Sequence, residues 1–253
     1  FPNGVMGFLM AFQLVVFAFV GVELIGVTAS ETENPQKNIP SAINKIPVRI
    51  LMFYIGALGV ILMVNPWDTL SADNSPFVQV FGLIGIPVAA GIINFVVLTS
   101  AASAGNSGMF STSRMLYSLG SNGQAPKSFA RLNRNSVPQR GLFVSAVVVS
   151  IGALLSKLIP ETAFSIVTTI SSICFIWVWS MILISHILYK KRKPRLHKAS
   201  KFKAPFTPFM NYLILLFFVF LLVLMFISDE TRMALLLTPV WFILLALVYK
   251  LRK

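Results

Sequence analysis

The sequence predicts an all-α polytopic membrane protein, and three observations predict it. Of 253 residues, 56% are hydrophobic and only 11% charged, against about 25% charged in a soluble domain. The apolar residues gather into seven runs close to the roughly 20 residues that carry a helix across hydrocarbon. The formal charge of +13 is concentrated in alternate connections between those runs, which is how charge sets orientation in a bilayer.

The predicted spans follow in order. The first is Val5–Ala29, closed by the polar stretch Ser30–Asn44. Within that stretch Asn34-Pro35 signals a turn, and Pro40 is expected to open the next helical segment. The second span is Ile46–Val64, with Pro47 tolerated in its first turn and Arg49 near enough to its end to snorkel. In the loop Asn65–Gly85, the half-apolar piece Ser75–Leu83 is too short to span and is expected to be a surface helix. The third span is Pro87–Ser113, rich in small residues, and the fourth is Leu142–Ile159. Between them a short amphipathic helix is expected at Lys127–Leu132. The fifth span is Ala163–Tyr189, the sixth Pro208–Ile227 and the seventh Met233–Leu251.

Charge then orients the chain. Lys37 and Lys45 sit in the first connection. Arg114, Lys127, Arg131, Arg134 and Arg140 fill the third, and Lys190 to Lys203 carries eight cations and no acid. Lys250, Arg252 and Lys253 end the chain. These alternate with connections holding Asp68 and Asp73, then Lys157 and Glu161, then Asp229, Glu230 and Arg232. The pattern places residue 1 outside and the C-terminus in the cytoplasm. Basic loops beside anionic lipid need no nucleic acid to explain them, so none is expected as a partner.

The single cysteine, Cys174, excludes an intramolecular disulfide and a thiolate metal site. His186 and His197 are read as lone structural histidines without a metal or base pattern. No phosphate-binding loop, dinucleotide fingerprint, zinc spacing or nucleophile elbow is present in the sequence, which argues against an enzyme. No metal or cofactor is expected. Phe1 leads straight into a span with no signal-like leader, and the chain is expected to be part of a longer one.

The candidate site is Phe17-Ala18-Phe19-Val20-Gly21-Val22-Glu23. It sets a carboxylate inside the first span, and an ionisable group there is costly enough to mark a functional site. Glycine is a poor helix interior residue, so Gly21 makes this stretch a candidate unwound segment between two half-helices, which would present free carbonyls to a zwitterion. The competing reading is a continuous helix with Gly21 in a close contact and Glu23 protonated. In the third span, Ser100, Ser103 and Ser107 share one helical face; tight packing and substrate contact both fit them. Thr168, Thr169, Ser171 and Ser172 are expected to satisfy carbonyls of their own helix. Glu31 and Glu33 read as a solvated loop.

The run Phe17 to Ile43, F-A-F-V-G-V-E-L-I-G-V-T-A-S-E-T-E-N-P-Q-K-N-I-P-S-A-I, resembles the sixth-span signature of bacterial amino acid permeases of the APC superfamily. Leu98–Tyr117 resembles their eighth span and the loop after it, and Asp229–Phe242 is similar to the members that carry D-serine, D-alanine and glycine. The resemblance implies a LeuT-like fold of twelve spans, two inverted five-span repeats plus two more. This chain would hold the second inverted repeat and the last two spans, and the N-terminal half of the same protein would be its partner.

It implies import of small neutral amino acids, with the proton as coupling ion, across the cell membrane. Carbonyls around Phe17, Ala18 and Phe19 would face the substrate amine, with Phe17 as an aromatic gate, Gly21 permitting the break and Glu23 a buried acid behind the site. Ser100 and Ser103 would join the substrate site. Relatives for proline, GABA or aromatic amino acids share these motifs, and a seven-span receptor is the alternative of another class.

Overall fold

The computed structural model describes residues 2–70, 75–83, 85 and 87–251, and among the described residues the regular structure is all helix. Asp73, Arg252 and Lys253, counted above among the loop charges, lie outside them. The helices are α1 (Gly4–Ala18), α2 (Leu24–Val27), α3 (Pro35–Ile50), α4 (Gly56–Val64), α5 (Pro76–Leu83), α6 (Pro87–Ser121), α7 (Gln139–Leu158), α8 (Pro160–Arg192), α9 (Pro194–Ala199), α10 (Phe209–Ile227) and α11 (Asp229–Leu251). Among the described residues, five stretches are long and apolar enough to cross a membrane: Pro35–Val64, Gln139–Leu158, Phe164–Arg192, Phe209–Ile227 and Asp229–Lys250.

The chain forms two units, Phe1–Glu23 with Gly152–Lys253, and Leu24–Ile151. In the first, α1 packs against α8 and α10, and α10 and α11 pack against each other and on α8. Its core is Val16, Ile173, Ile176, Phe218, Leu221 and Met225, with Leu221 fully inaccessible. Most other large apolar side chains of these helices are exposed. That surface is unfavourable in water and matched to lipid.

Val5–Ala29 is not one helix. α1 stops at Ala18 because the next bonds tighten: Phe19 N–H donates to Val16 O at 3.1 Å and Val20 N–H to Phe17 O at 3.1 Å. Gly21 then turns to φ +106, a value closed to helix and open to glycine.

In the second unit, helix begins at Pro35, one turn before the expected opening at Pro40. Asn34 adopts φ 47 and its carbonyl accepts from Lys37 and Asn38 N–H, while Pro35 fills the first helical position, where a missing N–H costs nothing. Pro40 and Pro47 therefore lie inside helix. After Pro47, Leu51–Ile55 winds as a π-turn into α4, the kind of adjustment that accommodates backbone disrupted by proline. The expected surface helix at Ser75–Leu83 is α5, packed against α6.

α6 runs two turns past Ser113, to Ser121. α7 approaches it closely at Gly141, where a Cβ would lie 2.9 Å from Ser113 O. The amphipathic helix expected at Lys127–Leu132 is instead a short 3-10 turn, Lys127–Ala130. It ends because Arg131 is extended and Asn133 Oδ1 takes the N–H groups of Asn135 and Val137, folding the backbone into a local turn.

Candidate functional site

The interruption after α1 is closed by its own acid. Both carboxylate oxygens of Glu23 accept from Gly21 N–H at 3.2 Å, so the donor released by breaking the helix is taken two residues later. Trp179 on α8 donates its Nε1–H to Glu23 Oε2 at 3.2 Å. The indole is held by Phe218 of α10, stacked with ring centroids 6.0 Å apart, and by Phe175 at 5.9 Å. Glu23 is half-buried. A freed backbone N–H and an indole N–H at membrane depth both need an acceptor, and one carboxylate serves both. Phe17 and Ala18 are exposed and Phe19 half-buried. The carbonyls of Phe17 and Phe19 accept from Val20 and Val22 N–H at 3.1 and 3.4 Å.

Phe17 also lines a cleft of about 300 Å³ with Gln13, Thr168, Thr169, Ser172 and Thr231. Sequence reasoning passed over Gln13, an amide inside an apolar run, although that is the signal by which it could have been found. Buried Gln13 donates Nε2–H to Met10 Sδ at 2.9 Å and approaches Leu224 O at 3.4 Å. Its Oε1 lies 3.0 Å from the Thr231 hydroxyl, which also reaches Met225 O at 2.8 Å. Of the four hydroxyls expected to back-bond in α8, two are seen to: Thr168 donates to Phe164 O and Ser172 to Thr168 O, both at 2.8 Å. Both residues line the cleft.

Ser100 and Ser103 belong to the other unit, exposed on α6, where Ser107 donates to Ser103 O at 3.0 Å. The break and these serines are thus set in separate units. In the second unit Glu31 is not a free loop acid. It pairs with Arg114 Nε at 3.0 Å, and the guanidinium lies 5.5 Å from the centre of the Phe110 ring. Arg114 also lines a cleft of about 480 Å³ with Thr28, Asn106, Ser107 and Ser111. Arg114 had read only as an orienting charge because its partner lies 83 positions away, beyond any local pattern.

The histidines are not alone either. His186 Nδ1 is 2.9 Å from Asn211 Nδ2 and its ring 6.0 Å from that of His197. Partial burial, then Lys190, His186 and Lys203, hold the His197 imidazole below its ordinary value.

The amino acid permease family matches residues 1–253. The amino-acid permease AapA of Bacillus subtilis is 55% identical over 250 residues, 99% of this chain and 54% of that protein. The D-serine/D-alanine/glycine transporter of Escherichia coli K12 is 51% identical over 249 residues, 98% of this chain and 53% of its own length. The transporter YdgF of Bacillus subtilis is 57% identical over 253 residues, 55% of its length. The chain spans about half the length of the curated relatives it matches. No solved structure matches. Transport rather than catalysis is what these relatives share, and the receptor alternative falls with them. The chain belongs to the amino acid permeases, a family of polytopic all-α membrane proteins.

Proposed function

We propose that the chain forms half of a secondary transporter that imports small neutral amino acids, D-alanine, D-serine and glycine, with protons by alternating access. The observation that carries this reading is the interruption at Phe19–Glu23, with its carboxylate closed onto Gly21 and Trp179. The name of one relative, a D-serine/D-alanine/glycine transporter, supports the substrate class. The other half of the site comes from an N-terminal half in a LeuT-type arrangement, the chain supplying the second inverted repeat and the last two spans. The protein sits in the cell membrane with residue 1 outside and the C-terminus in the cytoplasm, as its basic connections favour.

Carbonyls of Phe17, Ala18 and Phe19 accept from the substrate ammonium, and Phe17 closes over the apolar side. Glu23 stands behind the site, and its carboxylate holds Gly21 N–H and Trp179 Nε1–H by charge-assisted bonds that keep the break in shape.

The test is uptake of labelled D-alanine, D-serine and glycine by the full-length parent carrying Glu23→Gln. Initial rates are expected to fall about tenfold, the scale of one lost charge-assisted bond at about 1.4 kcal/mol. Unchanged uptake removes Glu23 from this role. Excess unlabelled phenylalanine is expected not to compete; strong competition would move the substrate class to aromatic amino acids.

A further inference from the structure

We infer that the connection between α8 and α10, from Lys190 to Phe206, is a docking surface for the anionic phospholipid headgroups of the bilayer. Both flanking helices are long and apolar enough to cross a membrane, so the residues that join them lie at one lipid–water boundary. Arg192, Lys193, Arg195, Lys198, Lys201 and Lys203 are all exposed. No Asp or Glu occurs between Glu161 and Asp229. Among the described residues the ion pairs are Glu31–Arg114 and Asp229–Arg232, and neither uses a cation of this connection.

Apolar side chains are interleaved with the charge. Leu196 is 58% exposed, Phe202 38% and Phe206 77%. In water that exposure is unfavourable; at the boundary between headgroups and acyl chains the rings and the leucine enter hydrocarbon while the cations stay at the phosphates. A soluble phosphate would satisfy the charge and leave these three side chains without a role, which favours a lipid surface.

The segment is also held in shape. Lys190 Nζ donates to Thr207 O at 3.0 Å, drawing the two ends of the connection together. The His197 ring rests 6.0 Å from His186 and 6.4 Å from Tyr189, fixing α9 beside the end of α8. The other strongly basic connection differs. There Arg114 is spent on Glu31, and Arg140 reaches Ser128 O at 3.5 Å. Lys127, Arg131 and Arg134 face outward there as well, so the two stretches differ in how many outward-facing cations they carry, with more of them between Lys190 and Phe206.

The test compares the purified chain, taken from mixed phosphatidylcholine and phosphatidylglycerol, by native mass spectrometry of the lipids it retains. The unmodified chain is expected to favour phosphatidylglycerol at least about fivefold, the scale of a single favourable cation at an anionic surface. R192Q/K193Q/R195Q/K198Q/K201Q/K203Q is expected to bring the ratio near one, while K127Q/R131Q/R134Q keeps it. Salt at about 1 M, where screening falls to about 3 Å, is expected to erase the preference. Should the sixfold variant lose its helical circular dichroism, K198Q/K201Q/K203Q gives the same comparison with an intermediate ratio. A preference that survives these substitutions in a folded chain, or that K127Q/R131Q/R134Q removes equally, or no preference at all, overturns the inference.

Discussion

At the scale of single residues, the interruption of α1 rests on Gly21 and on two donors to Glu23. Nothing lies within 4 Å of a Cβ built on Gly21, so Gly21→Ala meets a backbone penalty alone. At φ +106 that penalty is about 1–3 kcal/mol, and thermal unfolding of the full-length protein in detergent should register it without any change in packing. Trp179→Phe keeps a ring against Phe218 and removes the indole donor. We expect a loss of about 1 kcal/mol in the same measurement, with amino acid uptake reduced as well, since one acceptor bond of Glu23 is gone. The sequence made Glu23 and Gly21 visible because a charge and a glycine inside an apolar run break its own rule. Trp179 was invisible there: an indole in a hydrophobic helix breaks no rule, and only the fold brings it to the carboxylate.

At the scale of elements, the boundaries that the sequence misplaced share a cause. Asn34-Pro35 reads in the sequence as a turn and Pro40 as the helix start, but Asn34 in the left-handed region and Pro35 at the first helical position already start α3, and Pro47 lies inside it, one turn before the π-turn at Leu51–Ile55. Hydropathy marks where lipid begins and ends, whereas backbone hydrogen bonds mark where a helix does, so α6 continues to Ser121 beyond its apolar part. At about 1.5 Å per residue its 35 residues reach about 52 Å, longer than the roughly 30 Å hydrocarbon core.

The short helix α9 carries a pH dependence of its own. The neutral form of His197 is favoured in the fold, below an unfolded value of about 6.5. Above that pH both states are neutral and the group does not oppose folding. As the pH falls through it, the unfolded chain takes the proton first and stability is lost. His197→Gln is therefore expected to flatten the acid side of a stability profile measured between about pH 7 and pH 5, while leaving stability above pH 7 unchanged. An equal acid slope in the variant would place the effect elsewhere.

At the scale of the molecule, fold class was legible because a bilayer admits few solutions: apolar runs of spanning length have to be helices, their backbone bonds having no water to turn to. The arrangement of the helices was not legible. Nothing local in Gln13 announces Thr231, and nothing in Glu31 announces Arg114, because those contacts join residues far apart in the chain. The first unit is made from both ends of the sequence, α1 with α8, α10 and α11, while residues 24–151 form the other unit.

The hydrogen bond between Trp179 and Glu23 spans 156 positions. During synthesis at about 5–20 residues per second, the broken segment emerges about 10–30 s before the indole that will hold its carboxylate. For that interval Glu23 and the open backbone at Gly21 have no partner from α8, and they must be sheltered by the insertion machinery or by water at its mouth. The order of translation therefore makes closure of the break wait for α8, with the Thr231 contact to Gln13 across 218 positions forming later still, and a ribosome stalled before the codon for Trp179 would leave α1 with its acid unclaimed.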